Sequence, residues 1–282
     1  MIRAVLGNLL GSLSTVLRKK TLLISRLPKI FFRFLGEVNG IIIAFVIILI
    51  AGFNRRILTD RKIIVGIVII LIVAIRYDYI QQSLYKKEKI SSLLPYENLN
   101  SVFTIIVGFF IFKDSSLISV GISMLVILIT IGSSINIKKF ERPKNLKSIL
   151  LVQVLVTIEC ILTGYFLKDM GDQDYFILYE LIIVAILIVP VLIKGYISKI
   201  KGTKIKFRGY ETGQATLTNI SFLLYLFLVS EFGVVISTLL SFLANGVTML
   251  FGYIILKEKP GKKDIILTII TTLLVGIGFY FK

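Results

Sequence analysis

Gly108-Phe-Phe-Ile-Phe-Lys-Asp114 closes an apolar run in the first half of the chain, and Gly252-Tyr-Ile-Ile-Leu-Lys-Glu258 closes one in the second. The offset is 144 residues (252 − 108), and it also carries Thr104 onto Thr248, Lys113 onto Lys257, Asp114 onto Glu258 and Gly132 onto Gly276. Ile and Leu match by chance in any two greasy segments, so the weight rests on the glycines, the threonine, the lysine and the acid. A constant offset near half the chain length marks an internal duplication.

Composition sets the solvent. Of 282 residues, 56% are hydrophobic and only 17% charged, and the mean hydropathy is +0.91. A chain that must cover itself with water needs more polar surface, so the expectation is an integral membrane protein. The apolar stretches run roughly 16 to 25 residues, about the length of a bilayer-crossing helix, and they do not alternate as barrel strands do. Histidine is absent, which excludes His-based metal sites and His-dependent acid/base or triad chemistry. The single cysteine, Cys160, permits no intramolecular disulfide. The net charge of +17 sits mostly in the connectors, where it orients helices and meets lipid headgroups. No soluble basic domain is long enough to hold nucleic acid.

Ten segments emerge, at about 2–20, 31–53, 63–84, 91–112 and 116–136, then 148–167, 175–193, 209–229, 232–256 and 264–281. The connector Asn136–Lys147, with Glu141, Arg142 and Pro143, is the joint between a first repeat (1–142) and a second (143–282). In the first segment Asn8, Ser12, Ser14 and Thr15 dilute the apolar run, and Arg18, Lys19 and Lys20 close it. No small-x-small cleavage site follows, and Gly7-x-x-x-Gly11 suits close helix packing, so it reads as a retained, cavity-facing helix. Five helices per repeat is odd, so the second copy enters the bilayer from the opposite side. The expected fold is all-α and polytopic: ten transmembrane helices as two inverted five-helix repeats, with a site at the midplane between them. The odd-numbered connectors hold most of the cations, which places them in the cytoplasm and both termini outside.

Several places resemble the drug/metabolite transporter superfamily in its ten-helix, duplicated form. Asn8-Leu-Leu-Gly-Ser-Leu-Ser-Thr15 and Phe32-Arg-Phe-Leu35 resemble its first helix and the Arg-bearing start of its second. Leu94-Pro95 leading to Phe112-Lys-Asp114 resembles its fourth helix, and Ile255-Leu-Lys-Glu258 its ninth, both of which usually close in Leu-Gly-Glu. Gly121, Gly132, Gly276 and Gly278 suit the small-residue packing of its fifth and tenth helices. Here Lys replaces the usual Gly before both acids, and Asp114 stands in for Glu. The resemblance implies a carrier with a central cavity lined from both halves. It also implies cytoplasmic termini, against the charge bias, so the orientation stays open.

Ionisable groups inside hydrocarbon are costly and are read first as functional. The third segment holds Arg76-Tyr-Asp-Tyr79 with Gln81 and Gln82; Tyr77/Gln81 and Asp78/Gln82 form adjacent polar stripes. The alternatives are an Arg76–acid pair that merely neutralises itself, or a helix that ends near residue 79. Glu97, Asn100, Ser101 and Thr104 share one face of the fourth segment, and Ser241, Asn245 and Thr248 repeat the idea in the ninth. These stripes either face a cavity or hydrogen-bond between helices. Gln153, Thr157 and Glu159 add polarity to the sixth segment; Glu97 and Glu159 are the candidates for a proton-exchanging carboxyl. Tyr179, Glu180, Asn219 and Tyr225 are weaker cavity candidates, and Glu37, one turn after Arg33, is its structural partner.

The function these residues suggest is a secondary carrier of a small polar or amphipathic metabolite, in the cell membrane, as monomer or homodimer. In that reading Arg76 holds an anionic group, and Tyr77, Asp78, Gln81, Glu97, Asn100, Thr104, Gln153, Asn219 and Asn245 line the path. Its partners are the solute and membrane lipid, with no cofactor or metal. An exporter of drug-like cations or aromatic metabolites is the alternative within transport. A membrane-embedded lipid-modifying enzyme is a distant one, resting on Asp169-x-x-Asp172, a spacing common by chance. No G-x-x-x-x-G-K-[ST] motif is present for ATP-driven transport.

Overall fold

The computed structural model describes residues 2–24, 28–113, 116–134, 145–200 and 209–262, and, within the last segment, residues 265, 266, 269, 270, 273, 274 and 277. The connector 135–144, Asp114, most of the expected tenth helix and the side chains of Glu97 and Ser241 lie outside the described residues.

Within them the chain is helical. Helices α1 (Ile2–Ile24), α2 (Lys29–Ala51), α3 (Arg61–Lys87), α4 (Ile90–Phe112), α5 (Leu117–Ser134), α6 (Leu146–Met170), α7 (Asp172–Ile200) and α8 (Gly209–Leu256) follow in order, with a 3-10 turn at Arg55–Thr59. The signals that bound them are local. Asp60 caps α3, its carboxylate accepting from the amides of Lys62 (2.9 Å) and Ile63 (3.2 Å), a standard answer to the unpaired amides of a first turn. Gly171, at φ 79° and ψ 161°, ends α6 and lets α7 start at once. Gly233, at φ 81° and ψ 168°, breaks α8 into two limbs where only glycine fits without strain. The expected boundary between the eighth and ninth segments is this break.

Five helices are long and apolar enough to cross a bilayer: Lys29–Ala51, Arg61–Lys87, Leu146–Met170, Asp172–Ser198 and Gly209–Thr238. Leu49, Ile50, Phe110, Leu117, Leu128 and Leu192 are each at least 66% exposed. Apolar surface on that scale, spread over α2, α4, α5 and α7, fits a hydrocarbon surround and not water. The protein is therefore an all-helical fold of polytopic membrane type. Helix α1 falls outside the apolar set by composition, because Arg3, Arg18, Lys19 and Lys20 interrupt it; its Ser12 and Ser14 are buried.

The apolar core sits where α3, α6, α7 and α8 meet, around Ile67, Ile70, Leu71, Phe176, Ile177 and Ile183. Helix α1 packs along α8, α2 along α7, and α4 along α6 and α8. Small residues set the closest approaches. A Cβ on Gly11 would stand 2.8 Å from Ser221 Oγ, and one on Gly66 would enter the Phe166 ring. The Gly7-x-x-x-Gly11 face is thus a packing face against α8.

Lys113 (φ 53°) and Lys257 (φ 58°) are the two non-glycine residues with positive φ among those described, and they end α4 and α8. The left-handed conformation costs an L-residue about 1–2 kcal/mol, which glycine avoids. It accounts for the glycine usual at this place in the family that the chain resembles. Lys257→Gly therefore raises stability by about 0.5–1 kcal/mol, after the added unfolded-state entropy of glycine. Lys257→Val, β-branched at positive φ, lowers it. Thermal unfolding in detergent checks both.

Candidate functional site

Two guanidiniums and one carboxylate organise the interior. Asp78 on α3 is 1% exposed. Its Oδ1 is ion-paired with Arg18 Nη2 from α1 and lies 3.6 Å from Arg33 Nη1 from α2. Its Oδ2 accepts from Gln82 Nε2 at 2.7 Å, one turn further along α3. Arg33 is paired in turn with Glu37, one helical turn away, and donates weakly to the Tyr179 hydroxyl of α7 at 3.4 Å. The chain Arg18–Asp78–Arg33–Glu37 thus joins three consecutive helices, α1, α2 and α3.

Two more buried acids flank it. Glu180 on α7 is 1% exposed, and neither carboxyl oxygen has a hydrogen-bond partner. It lies flat on α2 over Gly40, where any Cβ would collide with it, and it faces Glu37 and Arg33. Glu37 and Glu180 are each the ninth residue of their helices. Glu159 on α6 is buried and faces Tyr77.

Beside this network lies a cavity of about 350 Å³ bounded by α1, α3 and both limbs of α8. Among the described residues Arg18 is the only charged one in its lining, which is otherwise mostly hydroxyls, amides, glycines and rings. Ser14 and Thr218 hydroxyls meet at 2.5 Å across it, and Gln81 donates to the Tyr85 hydroxyl at 3.0 Å. The Nε of Arg18 and the hydroxyl of Tyr225 are buried without a hydrogen-bond partner.

The structure rearranges the sequence-predicted set. Arg76 is exposed, and Asp78 has Arg18 and Arg33 instead. Residues two apart on a helix point to nearly opposite sides, so Arg76 is badly placed to serve Asp78. Helix α3 runs on to Lys87, which keeps Gln81 and Gln82 helical. Gln81 lines the cavity; of the other nine substrate-binding candidates, Glu97 lies outside the described side chains and the remaining eight are not in the lining. Tyr77 is half-buried against α6. The Asn100 carbonyl accepts from Thr157 of α6 at 3.2 Å, while its side-chain oxygen accepts from Ser101 at 2.8 Å. Thr104 is buried with its hydroxyl unpartnered, and Gln153 is buried on α6. Asn219 donates to the Gly36 carbonyl at 2.8 Å, tying α8 to α2. Asn245 is half-buried on the second limb of α8. For Asn100 and Asn219 the interhelical hydrogen bond is what the structure contains.

Arg18 and Lys19 were hidden by an Arg-Lys-Lys run that reads as a helix end. Helix α1 continues four residues beyond it, to Ile24, and both side chains turn inward. Lys19 donates to Glu258 Oε1 at 2.5 Å and to the Glu88 carbonyl at 2.6 Å. Glu258 Oε2 accepts from the Ile90 amide at 2.9 Å. Glu258 thus caps α4 and anchors α1.

No family model matches the chain, and no curated protein is similar to it. A solved structure described only as "Crystal structure of protein" superposes with a TM-score of 0.66 and 13% identity, over 98% of this chain and 94% of that one. At that identity the likeness is one of fold.

Asp78→Asn leaves two buried guanidiniums short of a counter-charge and lowers stability by about 3–5 kcal/mol. Arg18→Gln in the same chain restores part of the loss, since one stranded charge goes with it. A double-mutant cycle on unfolding free energies measures that coupling.

Proposed function

We propose that the protein is a secondary carrier, built as two inverted five-helix repeats (1–142 and 143–282), that passes a small polar or amphipathic metabolite across the cell membrane by alternating access. The observation that carries this reading is the cavity itself. It is walled by α1 and α3 from the first half and by both limbs of α8 from the second, so a relative motion of the halves changes which side it faces. The repeat is supported by the left-handed lysines at positions 113 and 257, which stand at the 144-residue offset. The polar lining suits a hydrated solute. An exporter of drug-like cations would want a carboxylate there, and the described residues of the lining include none. In this reading Glu159 and Glu97 remain the proton-coupling candidates, and the buried, cation-poor Glu180 joins them.

The test locks the halves together. On a Cys160→Ala background, Ser14→Cys and Thr218→Cys place thiols where two hydroxyls now touch. A thermal-shift screen against amino acids, sugars, sugar phosphates and quaternary amines selects the solute. Liposomes preloaded with it should concentrate labelled solute by counterflow, lose that on oxidation and regain it with reductant. Full counterflow by the disulfide-locked protein sinks the alternating-access reading.

A further inference from the structure

The cavity wall is specific about charge. Among the described residues Arg18 is its one charged side chain, and around it stand Asn8, Ser14, Gln81, Tyr85, Ser221 and Tyr225. That described set offers many neutral hydrogen-bonding groups and one cation, with no acid among them to hold a positive ligand. Volume limits size: about 350 Å³ is near the lower end of the about 300–1,000 Å³ typical of ligand sites.

We propose that this cavity takes a polyhydroxylated organic anion of monosaccharide size, and that Arg18 binds it by exchanging its partner Asp78 for the ligand. Three features make the exchange feasible. Arg18 already presents a buried Nε without a partner, and a guanidinium carries five N–H groups in a fork that matches a carboxylate or a phosphate. Asp78, on losing Arg18, stays neutralised, because Arg33 Nη1 stands 3.6 Å from the same oxygen and Gln82 holds the other. Arg33 is then shared between Asp78 and Glu37, an arrangement less favourable than two separate pairs. That difference keeps the bound state shallow enough for release, which a carrier requires and a tight-binding receptor does not. Arg18 is thus the residue that selects for charge, while the hydroxyl and amide groups select for hydroxyls.

This inference rests on the cavity being the transport site, and the probes separate the two readings. In thermal unfolding of the purified full-length protein, gluconate and glucose 6-phosphate raise the Tm saturably. Glucose, with the hydroxyls but no charge, needs at least a tenfold higher concentration, and choline gives no shift. If only one of the two anions acts, it tells carboxylate from phosphate, and the anion class stands. Arg18→Gln reduces gluconate to the level of glucose; Arg18→Lys keeps part of the difference. Tyr225→Phe removes a hydroxyl whose only internal neighbour for hydrogen bonding is the weakly bonding Cys160 thiol, so the fold is spared, and it weakens gluconate several-fold. The proposal is overturned if choline matches gluconate, if glucose does, if neither anion shifts the Tm, or if Arg18→Gln keeps the anion preference. Should Arg18→Gln not fold, Tyr225→Phe decides: unchanged gluconate binding overturns it. Anion binding without counterflow removes the carrier reading alone; counterflow of another solute without anion binding removes this one alone.

Discussion

The paired charges at the centre of the bundle constrain everything around them. A charge moved from water to the interior of a protein costs several kcal/mol even after relaxation, and the cost is recovered only by close, well-directed partners. Asp78, Arg18, Arg33 and Glu37 meet that condition by lying on α1, α2 and α3 at one level. None of these helices can slide or rotate independently without stranding a charge in hydrocarbon. The network thus fixes the register of three helices whose apolar contacts alone, in a lipid solvent that competes for grease, would fix it weakly.

That charged block sits next to a contact of a different kind. Helix α8 is broken at Gly233, and its two limbs close the cavity against α1 through hydroxyl and amide contacts: Asn8 to the Leu240 carbonyl, Ser12 to the Ala244 carbonyl, Ser221 to the Gly7 carbonyl. Each is a short neutral bond between close-packed backbones, and such bonds are worth little individually in membranes, about 0.6 kcal/mol on average. A joint of weak, replaceable bonds beside a block of strong, irreplaceable ones gives one part that holds shape and another that yields.

Much of the helical layout was legible because the lipid requirement is one-dimensional. A span must be apolar for about 20 residues, and its ends show as lysines, glycines and prolines; hence α2, α3, α4 and α6 begin and end within about three residues of their expected limits. The site was harder, for a three-dimensional reason. Asp78 is visible as a buried acid, yet its partners lie 60 and 45 residues earlier, and only packing brings them close. Arg76 looked like the partner because it is near in sequence, although helix geometry points it the other way. Arg18 was discounted since a basic triplet after an apolar run usually meets headgroups; α1 instead carries it inward. The polar dilution of α1 by Asn8 and Ser14, together with Gln81 and Tyr225, was the sequence sign of the cavity that the fold places there.

The acids of α2 and α7 carry the argument one step further. Glu37 and Glu180 occupy the same turn of helices that pack on each other, yet only Glu37 has a salt bridge among the described residues. Two carboxylates brought face to face between packed helices repel. The two helices answer this by differing: Arg33 supplies a cation on α2, and the fifth residue of α7 is the apolar Phe176. The contact of α2 with α7 is therefore asymmetric where two like charges would be most costly, and Gly40 leaves room for the Glu180 carboxyl to lie on α2.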